Sequence, residues 1–397
     1  MTLTFISNYI NHHQIPFSDC LYAALGDGYH FVQTEPMDEE RKEMGWQTDL
    51  HVLPYLVCAY EQPELVNRLL LESDVVIFGG CEDQEMIQPR LLLKKLTFRY
   101  SERIYREGQW KFVSPRGLKQ KYHDHIRFRK APVYLLCAGG YVASDFRLIH
   151  AYPDKMFRWG YFPVLKTYPD DDCHEKRKQN AVPVILWAGR FITLKHPEAA
   201  LWLMKELKEM GYTCHLRMIG GGPLETDLKQ QVERMGIADS VEFCGFQKPD
   251  QVRASMEEAD IHLFTSDYKE GWGAVLNEAM NSGCAVVTNQ AVGAAPYLIQ
   301  DGVNGYVYPN GDLEMMKKRV CALLKDRSLR LQMGQSAYET IRNEWNPQTA
   351  AERLLGVCRQ LLSDSGQKGR AFISSDLQLP EQGPMSRAPI QSPGFWH

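Results

Sequence analysis

Residues 182–222, VPVILWAGRFITLKHPEAALWLMKELKEMGYTCHLRMIGGG, decide the fold class. VPVILWAGR (182–190) is a near-continuous apolar run of strand length that stops at Arg190, the pattern of a strand buried on both faces. HPEAALWLMKELKEMG (196–211) carries Ala200, Leu203, Met204, Leu207 and Met210 at helical spacing, so one face is apolar. CHLRMIGGG (214–222) is a second strand, running into a glycine loop. The unit then repeats: PLETDLKQQVERMG (223–236) reads as a helix, SVEFCG (240–245) as a strand and PDQVRASMEEAD (249–260) as a helix. IHLFTS (261–266), a helix starting near Ala274, and the apolar strand CAVVTN (284–289) follow. Regular alternation of this kind predicts a three-layer α/β/α domain.

The first half shows the same rhythm. LTFISN (3–8), YHFVQTE (29–35), DVVIFGG (74–80), WKFVS (110–114) and APVYLLCAGG (131–140) are candidate strands, with helices at 14–28 and around Glu61 to Leu71. Gly79 and Gly80 permit a tight turn or the close approach of a ligand. Proline and charge interrupt the pattern in YFPVLKTYPDDDCHEKRKQNAVP (161–183). The expected organisation is therefore a first α/β domain over 1–165, a linker over 166–182 and a second α/β domain over 183–345. A bracing helix over 346–362, which includes TAAERLLGVCRQLL, and a mobile tail rich in Pro, Gly and Ser over 363–397 complete it.

Composition narrows the function. Of 397 residues, 45 are Lys or Arg and 49 Asp or Glu, and the net charge of -4 argues against a uniform nucleic-acid-binding surface. Ten cysteines, mostly inside apolar runs and without paired metal spacing, read as buried free thiols in a reducing compartment. No apolar run approaches the roughly 18 residues of a membrane span, and MTLTFISNYINHH lacks the basic start and long apolar core of a signal peptide. A cytoplasmic protein is expected, with contact at the inner face of the membrane left open.

The most informative segment is TSDYKEGWGAVLNEAMNSGCAVVTN (265–289). Glu270 precedes a glycine-bearing turn and Glu278 lies within the following helix. On local physics it is either a solvated helix start or a place where helix-entrance amides hold a diphosphate and the carboxylates hold sugar hydroxyls. In AGRFITLKHPE (188–198), Arg190 and Lys195 are either surface charges or the cations that neutralise such a diphosphate. IGGGP (219–223), with Gly221 and Gly222, is either a plain turn or a close approach to a base or phosphate.

In NYINHHQIPFSD (8–19), His12 and His13 are either exposed loop residues or groups that assist an acceptor, and they lack the spacing of a zinc site. From Arg90 to Lys130 there is a local excess of ten positive charges interleaved with Tyr100, Tyr105, Trp110, Phe112, Tyr122 and Phe128. That stretch is either a solvated face or a surface for an anionic membrane or a lipid-phosphate acceptor; no RNA-binding motif accompanies it.

Glu270 with GWG, Glu278, the AM and SG pairs, CAVVTN and then GVNGYVY (302–308) occur in an order that resembles the retaining glycosyltransferases of family 4, enzymes of two-domain GT-B architecture. The resemblance covers roughly 183–345. It implies two Rossmann-like domains facing across a cleft, the donor on the second and the acceptor on the first. It implies that Glu270 contacts the donor sugar, Glu278 the ribose, and the backbone of Gly271, Trp272, Gly273, Ala274 and Val275 the sugar and pyrophosphate. Arg190 and Lys195 take the donor phosphates, the Gly221–Gly222 loop lines the nucleotide pocket, and Phe246 lies near the base.

Trp272 departs from the commoner family pattern, in which a smaller loop or a phenylalanine is often expected there. The implied reaction is hexosyl transfer with retention from a nucleotide sugar, with UDP favoured, to a glycan or lipid-phosphate-linked acceptor of bacterial surface polysaccharide type. No tightly bound cofactor and no metal are implied, since protein cations and amides neutralise the leaving group. His13 is the first domain's catalytic candidate. A sugar-phosphate-forming synthase and a noncatalytic nucleotide-sugar-binding or membrane assembly protein are the alternative readings.

Overall fold

The computed structural model describes residues 1–39, 52–81, 83–169, 173, 177, 180–368, 377–394 and 397, and of 364–368 only the backbone. The chain forms two compact units, Met1–Val164 with Asn346–His397, and Leu165–Trp345.

The first unit holds a parallel sheet of β1 (Leu3–Ser7), β2 (Tyr29–Gln33), β3 (Leu56–Cys58), β4 (Val75–Gly79), β5 (Thr97–Ser101), β6 (Val133–Ala138) and β7 (Met156–Trp159). Its spatial order is β3-β2-β1-β4-β5-β6-β7. The second unit holds β8 (Val184–Ala188), β9 (His215–Ile219), β10 (Val241–Gly245), β11 (Ile261–Phe264), β12 (Ala285–Asn289) and β13 (Tyr306–Tyr308), in the order β10-β9-β8-β11-β12-β13. Both orders are doubly wound: the winding reverses between β1 and β4 and between β8 and β11. At such a reversal adjacent loops leave toward opposite faces and open a crevice beyond the carboxyl ends of the strands.

Burial follows the sequence pattern. Ile185, Leu263 and Val287 on the second sheet and Leu203 and Leu207 on the helix Pro197–Glu209 are fully buried, whereas Met210, at the end of that helix, is 54% exposed. Two buried arginines close helix ends. Arg90 donates to the carbonyls of Leu70 and Ser73 at the end of the helix Pro63–Glu72. Burial lowers its pKa to about 10. Arg177 donates to the carbonyls of Met256, Ala259, Ser282 and Gly283, where the helices Pro249–Glu258 and Ala274–Asn281 end. Terminal carbonyls lack intrahelical donors, so a guanidinium supplies several at once.

Several expectations are corrected. WKFVS is not a strand: Gln109–Val113 is a 3-10 helix, and the strand of that region is TFRYS, β5. The described part of the expected linker packs into the second unit, with Cys173 and Arg177 buried. The helix expected over 346–362 runs over Pro347–Lys368 and belongs to the first unit. The stretch read as a mobile tail is packed where it is described, with Met385 and Ser386 buried and Arg387 bridging Phe157; 369–376 and 395–396 lie outside the described residues. All ten cysteines are free.

His262 on β11 is fully buried, with no hydrogen-bond partner on either ring nitrogen among the described residues. Burial lowers its pKa to about 4. The neutral ring is stable in the fold, but the unfolded chain takes up a proton below about 6.5. This contribution is therefore complete above pH 6.5 and is lost as pH falls toward 4. Urea unfolding across that window is expected to show a loss of up to about 3 kcal/mol that His262→Leu does not show.

Candidate functional site

In the second unit, the loop after β8 and the loop after β11 meet at the reversal of strand order. The Trp187 indole N–H donates to Thr265 Oγ1 at 2.8 Å, and the Thr265 hydroxyl donates to the Lys195 carbonyl at 2.5 Å. The Asp267 amide donates to the Leu194 carbonyl at 3.0 Å. Asp267 also shapes the turn that carries Glu270: its side chain accepts from the Lys269 amide at 2.8 Å and its carbonyl from the Glu270 amide at 3.0 Å. These bonds bring Lys195 Nζ to 2.5 Å from Glu270 Oε2, with both side chains about 15% exposed (15% and 14%).

His196 stands beside this pair in a left-handed conformation, φ 47°. Its imidazole donates to Glu198 at 2.9 Å and to Asp267 at 3.2 Å. These two carboxylates, Asp267 foremost, raise its pKa to about 9, so the ring is a cation at neutral pH.

The helix Ala274–Asn281 starts beyond Glu270. Its cap is Gly273, φ 89°, which offers no side-chain bond to the first amides, the arrangement that leaves them for an anion. A Cβ on Gly273 would lie 2.7 Å from the Phe264 ring, and one on Gly293 would lie 1.7 Å from the Gly271 carbonyl oxygen. Ala274 is buried, Val275 and Glu278 are partly exposed, and Glu278 lies one further turn along the helix.

The glycine run has a role different from simple access. The Gly189 amide donates to the Ile219 carbonyl and the Phe191 amide to the Gly221 carbonyl, so the 189–191 loop is fastened along 219–221. A Cβ on Gly220 would lie 1.9 Å from the Gly189 oxygen, and one on Gly222 would lie 2.8 Å from the Phe191 oxygen. Only Gly221 of the three is open, its nearest neighbour being Glu225 at 3.5 Å. Phe246 follows β10 and is 56% exposed.

Lys195 and Glu270 are thus brought into contact, while Arg190 is exposed and makes no ion pair among the described residues. The Trp272 side chain turns away into an aromatic cluster: it is 1% exposed, donates to Asn277 at 2.8 Å, and packs on Tyr297 and Trp345. Only its backbone remains a candidate for ligand contact. His196, Asp267, Thr265 and Gly293 escaped sequence reading. The first three meet only after 70 or so residues of intervening chain, and Gly293 carried no motif.

The first unit has a cavity of about 660 Å³ at the matching reversal, outside β1, β4 and β5. His13 lines it, with its amide held by Asn11 Oδ1 at 3.0 Å and its ring stacked 6.4 Å from that of Tyr161. Gly79 serves packing rather than access, since a Cβ there would lie 2.8 Å from the rings of Phe5 and Tyr100.

Residues 171–340 match the family described as Glycosyl transferases group 1. The chain is 27% identical to alpha-D-kanosaminyltransferase of Streptomyces kanamyceticus, over 81% of this chain and 79% of that one. It is 28% identical to the amylovoran biosynthesis glycosyltransferase AmsK of Erwinia amylovora, over 45% of this chain and 44% of that one. In fold it is similar to Anabaena Alr3699/HepE, solved in complex with UDP, with TM-score 0.65 and 17% identity over 91% of this chain and all of that one. The two doubly wound sheets and these matches show a transferase of GT-B fold whose residues 171–340 are the glycosyltransferase group 1 domain.

Proposed function

We propose that the protein moves a hexosyl group, with retention, from a nucleotide sugar to a glycan or lipid-phosphate-linked acceptor, with a UDP-sugar the favoured donor. The observation that carries this reading is the Lys195–Glu270 contact at the strand reversal, beside a helix start capped by a bare glycine. Lys195, Arg190 and the amides of Ala274 and Val275 neutralise the departing diphosphate. Glu270 orients the donor sugar and Glu278 the ribose, while Gly221 and Phe246 border the base. The acceptor hydroxyl attacks the face that the diphosphate leaves, and the leaving phosphate oxygen takes its proton. His13 orients the acceptor in the first unit.

The UDP held by the similar Anabaena protein supports the choice of base. Exposed Trp110, Val113 and Tyr122, with exposed Arg116 and Lys119 on the same stretch, support contact with an anionic membrane surface. No helix among the described residues is long and apolar enough to cross a membrane.

The test is nucleotide release and product mass across a panel of nucleotide sugars, with and without sugar and lipid-phosphate acceptors. Turnover selective for one UDP-sugar is expected. Saturable donor binding without turnover for any acceptor would overturn the reading.

A further inference from the structure

The first unit's cavity has a charge arrangement that the proposed reaction does not use. Four cationic side chains line it, Arg99, Arg103, Arg106 and Lys121, against two carboxylates, Glu102 and Asp124. Two of the cations are committed. Arg103 pairs with buried Asp145 at 3.3 Å and also donates to the carbonyls of Tyr105 and His397. Arg106 pairs with Glu102, whose other oxygen accepts from the Tyr161 hydroxyl at 2.8 Å.

Arg99 and Lys121 remain. Arg99 is only 7% exposed, and its one hydrogen bond among the described residues goes to the Asp124 carbonyl at 3.2 Å. Neither cation has a carboxylate within 4.0 Å among the described residues. A guanidinium removed from water with a single neutral acceptor is poorly compensated and favours an anion in the adjoining space. Both cations act on His125, which is buried against Tyr152 and whose pKa is held well below the usual histidine value, first by burial and then by these two charges. His125 is therefore neutral and adds no charge. Asn8, Gln84, Gln120 and Ser101 add amides and a hydroxyl to the wall, and Tyr100 and Tyr161 add aromatic rings, a mixture that suits a ring with several hydroxyls.

We propose that this cavity takes an acceptor that is a hydroxyl-rich ring bearing a phosphate or a carboxylate, with Arg99 and Lys121 holding the anionic group. The inference rests on the transferase reading only in naming the ligand as the acceptor.

The test is calorimetric titration of the full chain with glucose 6-phosphate, glucuronate and methyl glucoside, at low and raised salt. At least one anionic probe is expected to bind about tenfold or more tighter than the neutral one, with the advantage shrinking in salt. A preference for glucose 6-phosphate assigns a sugar phosphate, and a preference for glucuronate assigns a uronate. Lys121→Gln and Arg99→Gln should each remove the advantage and leave binding of methyl glucoside unchanged. Thermal unfolding checks both variants, and the partly exposed Lys121 decides the matter if the Arg99 variant does not fold. Equal binding of all three probes, binding of none, or an unchanged preference in Lys121→Gln overturns the proposal. UDP titration of the native protein reports on the second unit separately, so a failed donor site and a failed anion site give different results.

Discussion

Lys195→Ala is expected to lower turnover of the preferred nucleotide sugar by about 10²–10³-fold, the usual cost of removing one group that stabilises charge developing in a transition state. The ammonium is 15% exposed, so its field is little screened, and it is fixed from both sides: the Thr265 hydroxyl holds its carbonyl and Glu270 holds its head. Glu270→Ala is expected to cost a similar factor by a different route, through the orientation of the donor sugar. Each single change also leaves one charge of a partly buried pair without its partner, lowering stability by about 1–3 kcal/mol.

The double variant separates these effects. A pair that serves only to fasten two loops would regain both stability and turnover when both charges are removed. The expected result is recovered stability, read by urea unfolding, with turnover no better than that of the worse single variant. Recovered turnover in the double variant would remove Lys195 and Glu270 from the chemistry.

The fold was legible where strands are apolar on both faces. VPVILWA, DVVIFG and CAVVTN have no other plausible state, because a parallel sheet covered by helices demands such runs. TFRYS does not read as a strand because Arg99 and Ser101 break the apolar pattern just where the strand reaches the cavity. LVC, β3, is an edge strand of three residues, too short for any period to show. WKFVS alternates like a strand, but Gly108 and Ser114 bound a turn of helix.

The site divides in the same way. Glu270, Gly273 and Glu278 are close in sequence and could be read together. Lys195 could be paired with Glu270 only once β11 is known to lie beside β8, a long-range fact of strand order. The basic stretch shows how little a charge count conveys by itself. Arg90 is buried but satisfied by helix-end carbonyls, Arg103 is spent on Asp145, Arg106 is spent on Glu102, and Arg99 is buried with one neutral acceptor and no carboxylate within 4.0 Å among the described residues.

Gly293→Ala is expected to be among the most damaging single substitutions in the second unit, although it adds one methyl group to a residue outside any charged motif. The new Cβ would fall 1.7 Å from the Gly271 carbonyl oxygen and 2.9 Å from its carbonyl carbon, and both are backbone atoms with no rotamer to yield. The loops cannot part cheaply, because the Ala294 amide donates to the Trp272 carbonyl at 3.0 Å and Trp272 is locked between Tyr297 and Trp345.

Overpacking usually costs about 1–3 kcal/mol, and a backbone clash of this depth should lie at or above the upper end. Gly356→Ala supplies the contrast. It lies within the helix Pro347–Lys368 with nothing within 4 Å of its Cβ, and it should stabilise by about 0.5–1 kcal/mol. Urea unfolding measures both. If Gly293→Ala folds, the displacement falls on Gly271 and Trp272, directly between Glu270 and the helix entrance. Donor KM should then rise even at a temperature where the variant is fully native. Unchanged stability and unchanged KM would mean that the 271 and 293 loops do not touch as described, and the geometry assigned to the helix entrance would fall with them.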